Sequence, residues 1–262
     1  MICKLFPIFA EKSGKDMLSK SQIKLIRSLE LKKNRLREQL FVAEGPKVVG
    51  DLLRAGFKAH SIFSTTPQLF PPSTDFQSIT NEELHRISFL QHPQEVLALF
   101  YIPESRQPDI THMDSQLAIA LDQVQDPGNV GTIIRIADWF GIDAIYCSPT
   151  TADVYSPKVV QATMGSIAHV PIITCDLTTL LAQVQCPVYG TVLDGDNLYS
   201  QPLTSHGIIV MGNEGNGISP AIRQLLTNRL LIPNYHKDSE TAESLNVAIA
   251  TAVTCAEFRR RG

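Results

Sequence analysis

The chain has 262 residues, 44% of them hydrophobic and 19% charged, which is ordinary soluble usage and excludes a disordered or fibrous polypeptide. Its formal net charge of -3 conceals a division: residues 1–60 carry 13 Lys/Arg against 6 Asp/Glu, a net of +7, and the remainder carries 10 against 20, or -10. Five cysteines, an odd number without a C-x-x-C pair, argue against a disulfide framework and a zinc ribbon and fit a reducing cytoplasm.

An apolar stretch at positions 5–10, behind Lys4, is shorter than a secretory h-region, and no later run is long enough to span a bilayer. Residues 1–17 therefore read as a flexible leader, with Met17 an alternative start to Met1. The spacing then predicts helices over 19–33 and 46–55, the second stopped by Gly56, and short strands over 40–43 and 61–64. Thr80, followed by Glu82 and Glu83, opens a helix over 80–86, and a continuous apolar strand covers 96–102. This is a small α/β/α domain, 18–102. Its first helical stretch carries Lys20, Lys24, Arg27, Lys32, Lys33, Arg35 and Arg37. Such a set neutralises phosphates, or else forms a solvated helix face. A polar, Pro-containing linker, 103–114, precedes a second domain over 115–262.

In that second domain, apolar runs of strand length at 117–121, 144–147, 170–173, 188–193, 208–211 and 230–232 alternate with helical patterns. The alternation predicts an α/β fold, a mostly parallel sheet with right-handed crossovers and helices on both faces. Ligands of such sheets sit beyond the carboxyl ends of the strands, and three short motifs lie there.

The first runs from Asp126 through Pro127, Gly128 and Asn129 to Arg135. Pro127 and Gly128 suit a turn, and Asn129 suits the N-cap of the helix that follows. Arg135 projects near Trp139, away from the apolar arc of Val130, Ile133, Ile134, Ile136, Ala137 and Phe140. The second motif, Met211, Gly212, Asn213, Glu214, Gly215, Asn216 and Gly217, is a glycine-rich loop directly after a strand. Its spacing is not the dinucleotide fingerprint, but its glycines allow a close approach of backbone to ligand. Glu214, with no basic neighbour in the loop, suits a hydroxyl or amino partner. The third, Glu243, Ser244, Leu245, Asn246 and Val247, opens the last helix, where unpaired amides hold a polar ligand or take a cap. Taken singly, each motif is an ordinary turn or helix start. Neither a histidine pair with metal spacing, a nucleophile elbow nor a P-loop occurs. His169 reads as a packed histidine, and His236 and Lys237 as facing water.

Together and in this order, the three motifs resemble the signature of the SpoU (TrmH) family of RNA 2′-O-ribose methyltransferases, in the SPOUT superfamily. Residues 18–102 resemble the small substrate-binding domain often attached to it. The resemblance implies S-adenosyl-L-methionine as cofactor, no metal, a homodimer, and RNA as substrate, ribosomal RNA being favoured over transfer RNA. It also implies a SPOUT-type fold with a deep C-terminal trefoil knot. Asn129 and Arg135 match the first family motif, Gly212, Glu214 and Gly217 the second, and Ser244, Leu245 and Asn246 the third. The matching cofactor pocket adds Thr191, Leu193, Gly195, Met211, Leu231, Ile232 and Pro233. The catalytic set is then Arg135, Asn129, Glu214, Ser244 and Asn246. Of these, Arg135 stays charged and suits the developing alkoxide, for which reason it is a poor base. The others orient arginine, ribose or cofactor, and the final proton acceptor is a substrate phosphate or Glu214. Two alternatives are a base-nitrogen RNA methyltransferase of the same superfamily and a non-catalytic RNA-binding paralogue.

Overall fold

The computed structural model describes residues 18–69, 74–105, 107–236 and 242–261; the leader at 1–17 and Lys237 lie outside them. Helix α1 (Lys20–Ser28) starts at a capping box formed by Ser19 and Gln22. The single helix expected over 19–33 is in fact two, because the chain turns at 29–31 before α2 (Lys32–Glu38). Side chains reaching backwards hold the turn. Asn34 Nδ2 donates to Ser28 O at 2.8 Å, and Arg35 Nη1 to Leu29 O and Glu30 O at 2.6 and 2.7 Å, so the carbonyls freed at the helix end are satisfied.

A four-stranded sheet in the order β1-β4-β2-β3 follows, built from β1 (Leu40–Glu44), β2 (Ala59–Ser64), β3 (Gln77–Ser78) and β4 (Val96–Tyr101), with α3 (Pro46–Arg54) and α4 (Asn81–Ile87) packed on it. Alternation along β1 splits its side chains between two cores. Leu40 and Val42 join residues of α1 and α4, whereas Phe41 and Ala43 join those of α3 together with Val160 and Ile167 from the second half of the chain. The two halves therefore share a core, and neither helix nor strand is found among the described residues of the linker.

The second half contains β5 (Leu117–Leu121), α5 (Pro127–Trp139), β6 (Ala144–Cys147), α6 (Pro157–Ala162), β7 (Ile172–Thr174), α7 (Leu177–Gln183), β8 (Val188–Asn197), β9 (Gly207–Met211), α8 (Pro220–Arg223), β10 (Asn228–Leu231) and α9 (Val247–Arg261). Its six strands are all parallel, in the order β10-β8-β9-β5-β6-β7. One face packs on α5 and α9, the other on α7 and α8. From β5 the chain proceeds to β6 on one side, while β9 lies on the other, so the crevice at their carboxyl ends is a switch point of the winding.

Strands β5 and β6 coincide with the apolar runs. β7 starts two residues later than expected, because Pro171 has no N–H to give the ladder; its carbonyl instead accepts Ile145 N at 2.9 Å. β8 extends past 193 because its pairing with β10 jumps from Gly190 to Asp196 between Arg229 and Leu230. No described helix is long and apolar enough to cross a membrane. Cys147, Cys175, Cys186 and Cys255 are free thiols. Burial pushes Cys147 and Cys255 up to about 12, so both stay protonated near neutrality.

Candidate active site

Strands β5 and β9 deliver the first two motifs side by side, and α9 brings the third against them. The N-cap of α5 is Asp126, not Asn129: its carboxylate accepts Asn129 N at 2.8 Å, and Pro127 takes the first helical turn. The Asn129 side chain is thereby left for other partners. Its Nδ2 donates to Glu214 Oε1 at 3.0 Å, and its Oδ1 accepts Asn246 Nδ2 at 2.9 Å. Asn246 Oδ1 is already taken by Ala248 N and Ile249 N, at 2.9 and 3.3 Å, at the start of α9. Asn246 must therefore turn its nitrogen toward Asn129, which must turn its own toward the carboxylate. The direction of the whole chain is fixed at both ends.

Glu214 also accepts the backbone amides of Gln125 and Asp126, each at 3.2 Å. Burial raises its pKa, but the Asn129 side chain and the backbone donors outweigh that effect and hold it below the ordinary carboxylate value. Its partners are thus amides of its own chain. Asn213 shapes the loop around it, donating to Gln123 O at 2.8 Å and accepting Gly215 N and Asn216 N at 3.0 Å. The buried Asp122 accepts Ser219 N at 2.7 Å and closes the loop's far end. Asp122 does not stand out in the sequence, and Asn213 lies inside the second motif without a role of its own there, although an Asn or Asp beside a glycine-rich turn is the residue type that bonds nearby backbone.

The carboxyl-terminal part of β8, the ends of β9 and β10 with the segments after them, and the start of α9 enclose an open cleft of about 1110 Å³. Thr191, Leu193, Met211, Gly212, Gly217, Leu231, Ile232, Pro233, Ser244 and Leu245 all line it, as do Glu214, Asn246 and His236. Leu193 is 71% exposed and Leu245 51%, apolar surface that a ligand would cover. Gly195 is not among the lining residues. A Cβ there would meet the backbone of Arg229 and Leu230 at 2.8 Å, so its lack of a side chain serves the passage of β8 over β10. Gly212 is similar, since an added Cβ would lie 2.3 Å from Gly217 C and 2.4 Å from Ile218 N. It lets the loop close on itself, and its own backbone still lines the cleft.

Arg135 is exposed on α5 and is not among the residues lining the cleft, and its side chain has no hydrogen-bond or ion-pair partner among the described residues. Helices α5 and α9 run side by side in the same direction, joined near their starts by Asn129 and Asn246 and near their ends by Arg259 Nε donating to Phe140 O at 2.7 Å. Both carry large apolar side chains in the open, Trp139 at 85% and Ile249 at 54% exposure.

The basic cluster divides into two groups. Lys20, Lys24, Lys32 and Lys33 are exposed, and Arg37 pairs only with its neighbour Glu38 at the surface. Arg27 instead donates to Ser88 O at 2.7 Å and lies over the Phe89 ring at 4.7 Å. Arg35 is buried, its side chain 3% exposed, and paired with Asp153. Arg35 is thus withdrawn from any ligand surface, and Arg27 is committed to the fold. His169 is half-exposed rather than packed, its Nδ1 3.0 Å from Asp138 Oδ2. Among the described residues, no group of three or more His, Cys, Asp and Glu side chains is arranged to hold a metal.

Residues 116–256 match the SpoU rRNA Methylase family, and residues 20–98 match the MRM3-like substrate binding domain. The chain is 28% identical over 246 residues to the 23S rRNA (guanosine(2553)-2′-O)-methyltransferase RlmP of Bacillus subtilis (strain 168), covering 91% of this chain and 96% of that protein. The solved structure of a TrmH-family protein from Porphyromonas gingivalis is 42% identical, with a TM-score of 0.84 over 94% of this chain and 100% of that one. An AdoMet-bound rRNA methyltransferase from Sinorhizobium meliloti is 30% identical, with a TM-score of 0.80 over 94% of this chain and 97% of the other.

Proposed function

The chain belongs to the SpoU rRNA methylase family, and we propose that it transfers the methyl group of S-adenosylmethionine to a ribose 2′-hydroxyl of ribosomal RNA. The observation that carries this reading is the chain of side-chain hydrogen bonds from Asn246 through Asn129 to Glu214, which ties all three motifs together beside one cleft. The cleft suits the cofactor: Leu193, Leu231, Ile232 and Leu245 offer apolar walls for an adenine, and the glycine loop and residues 231–233 offer backbone groups for polar edges. When bound, the cofactor supplies an already activated methyl group on its sulfonium.

The chain's own residues position the acceptor. Asn129 and Asn246, fixed in direction, hold the rim of the cleft in one geometry, so that little ordering is left for the moment of reaction. Ser244 presents a hydroxyl to the cleft. Arg135, which lies outside its own chain's cleft, stabilises the 2′ oxygen from the second copy of a homodimer as its proton departs, a task for a group that stays charged throughout. Glu214, with a lowered pKa and its oxygens taken by three donors, serves as a brace. The proton then goes to a substrate phosphate.

Residues 18–102 bind RNA and 115–262 transfer the methyl. The exposed α5 and α9 face with Trp139 and Ile249 supports a homodimer in which further groups, Arg135 included, meet a second copy. The return of the chain from edge strand β10 to α5, past the end of β8 at 191–197 and the loop at 212–218, supports the trefoil knot. The free thiols suit a reducing cytoplasm.

Gly212→Val should remove S-adenosylmethionine binding by forcing the loop off Gly217 and Ile218, which calorimetry measures directly; unaltered affinity would place the cofactor elsewhere. Lys24→Glu and Lys32→Glu should weaken RNA binding and flatten its salt dependence, by roughly 0.7–0.9 in the log–log slope for each phosphate no longer neutralised. A slope equal to wild type would return these lysines to plain solvent. Mapping ribose methylation in ribosomal RNA from cells lacking the gene should reveal one missing 2′-O-methyl position, restored by the wild-type gene. A mark missing from a base instead would favour the base-nitrogen alternative.

A further inference from the structure

Arg35 spends its guanidinium entirely on holding pieces of the protein together. Nη1 takes the carbonyls of Leu29 and Glu30 at the corner between α1 and α2, while Nε and Nη2 reach across to Asp153 Oδ2 at 3.1 and 2.5 Å. Asp153 lies in the segment between β6 and α6, a long way along the chain from Arg35. Beside this joint, Phe41 packs on Tyr155 with ring centroids 4.9 Å apart, and Lys47 Nζ donates to Met164 O at 2.6 Å. The corner that carries the exposed lysines is thus fastened to the methyltransferase half by charge, ring packing and a shared core.

The anchor point is close to the site. Ala152 N, next to Asp153, donates to Val124 O at 2.9 Å, and Gln123 N donates to Ser148 Oγ at 3.0 Å. The adjoining amides of Gln125 and Asp126 are those that Glu214 accepts. The RNA-facing corner is therefore registered against the loop that holds the candidate catalytic groups, not against a remote part of the sheet.

We propose that Arg35 is a positioning residue for the methyl transfer: through Asp153 it fixes the N-terminal unit at one offset from the cleft, so that RNA held by that unit presents one particular ribose. This rests on the ribose-methylation reading above. A guanidinium suits the task because its planar fork satisfies two carbonyls and a carboxylate at once, which an ammonium cannot reproduce.

The test uses the full chain with its ribosomal RNA substrate and compares wild type with Asp153→Asn. That variant keeps the shape at 153 and leaves the bonds of Arg35 to Leu29 and Glu30 in place. At saturating RNA, single-turnover methylation should fall on the order of 10²-fold, the scale of a small misplacement of reactants, or shift to a neighbouring ribose. Affinities for S-adenosylmethionine and for RNA should stay at their wild-type values. Arg35→Lys is the second variant and should show the same separation of rate from affinity. Wild-type rate and site choice in both variants would overturn the proposal, as would a rate loss that merely follows weakened cofactor binding, since that marks a role in folding alone. A wild-type enzyme that methylates no ribose would sink the underlying reading and is recognised separately, before any variant is compared.

Discussion

Arg135→Ala is expected to leave S-adenosylmethionine affinity unchanged and to slow single-turnover methylation at saturating RNA by roughly 10²–10³, the loss seen when one group aimed at a developing oxyanion is removed. The unchanged affinity and an intact fold have a structural basis. Arg135 does not line the cleft, so cofactor binding does not depend on it. It is exposed and has no partner among the described residues, so its removal leaves no group of this chain unsatisfied. A charge so placed has little to do for the fold of its own chain, and a Lys at this position keeps the charge without the fork. Arg135→Lys should therefore recover only part of the rate. A near-normal rate for Arg135→Ala would return the residue to the solvated face of α5 and leave the alkoxide to another group.

Periodicity made most of the fold legible. Runs such as 117–121 and 144–147 are strands because they are apolar over a strand's length and bounded by turns, and the structure uses them unchanged. The motif set likewise brought together residues more than a hundred positions apart. What the sequence concealed depends on side chains acting at a distance. The break of the first helix at 29–31 is held by Asn34 and Arg35 reaching back, and Arg35 reads as one more lysine-like charge until Asp153 is placed beside it. Asn129 looks like a cap because its residue type caps; the cap is Asp126, and only the fold shows Asn129 bridging Asn246 and Glu214. Gly195 and Gly212 look like ligand glycines. Both make room for the protein's own backbone, Gly212 while also lining the cleft, a demand that shows only once the opposite chain segment is in place.

The proposed acceptor is the ribose 2′ oxygen, the group that distinguishes RNA from DNA at a given nucleotide. Once the methylated position is mapped, an RNA carrying a single 2′-deoxy substitution there retains its base, its phosphates and all of the charge it offers to Lys20, Lys24, Lys32 and Lys33. It should bind with close to wild-type affinity and accept no methyl from labelled S-adenosylmethionine, while the same RNA with the 2′-hydroxyl intact is methylated to completion. Transfer of label to the deoxy substrate would contradict the account, place the methyl on the base, and remove Arg135 from its role at the oxygen.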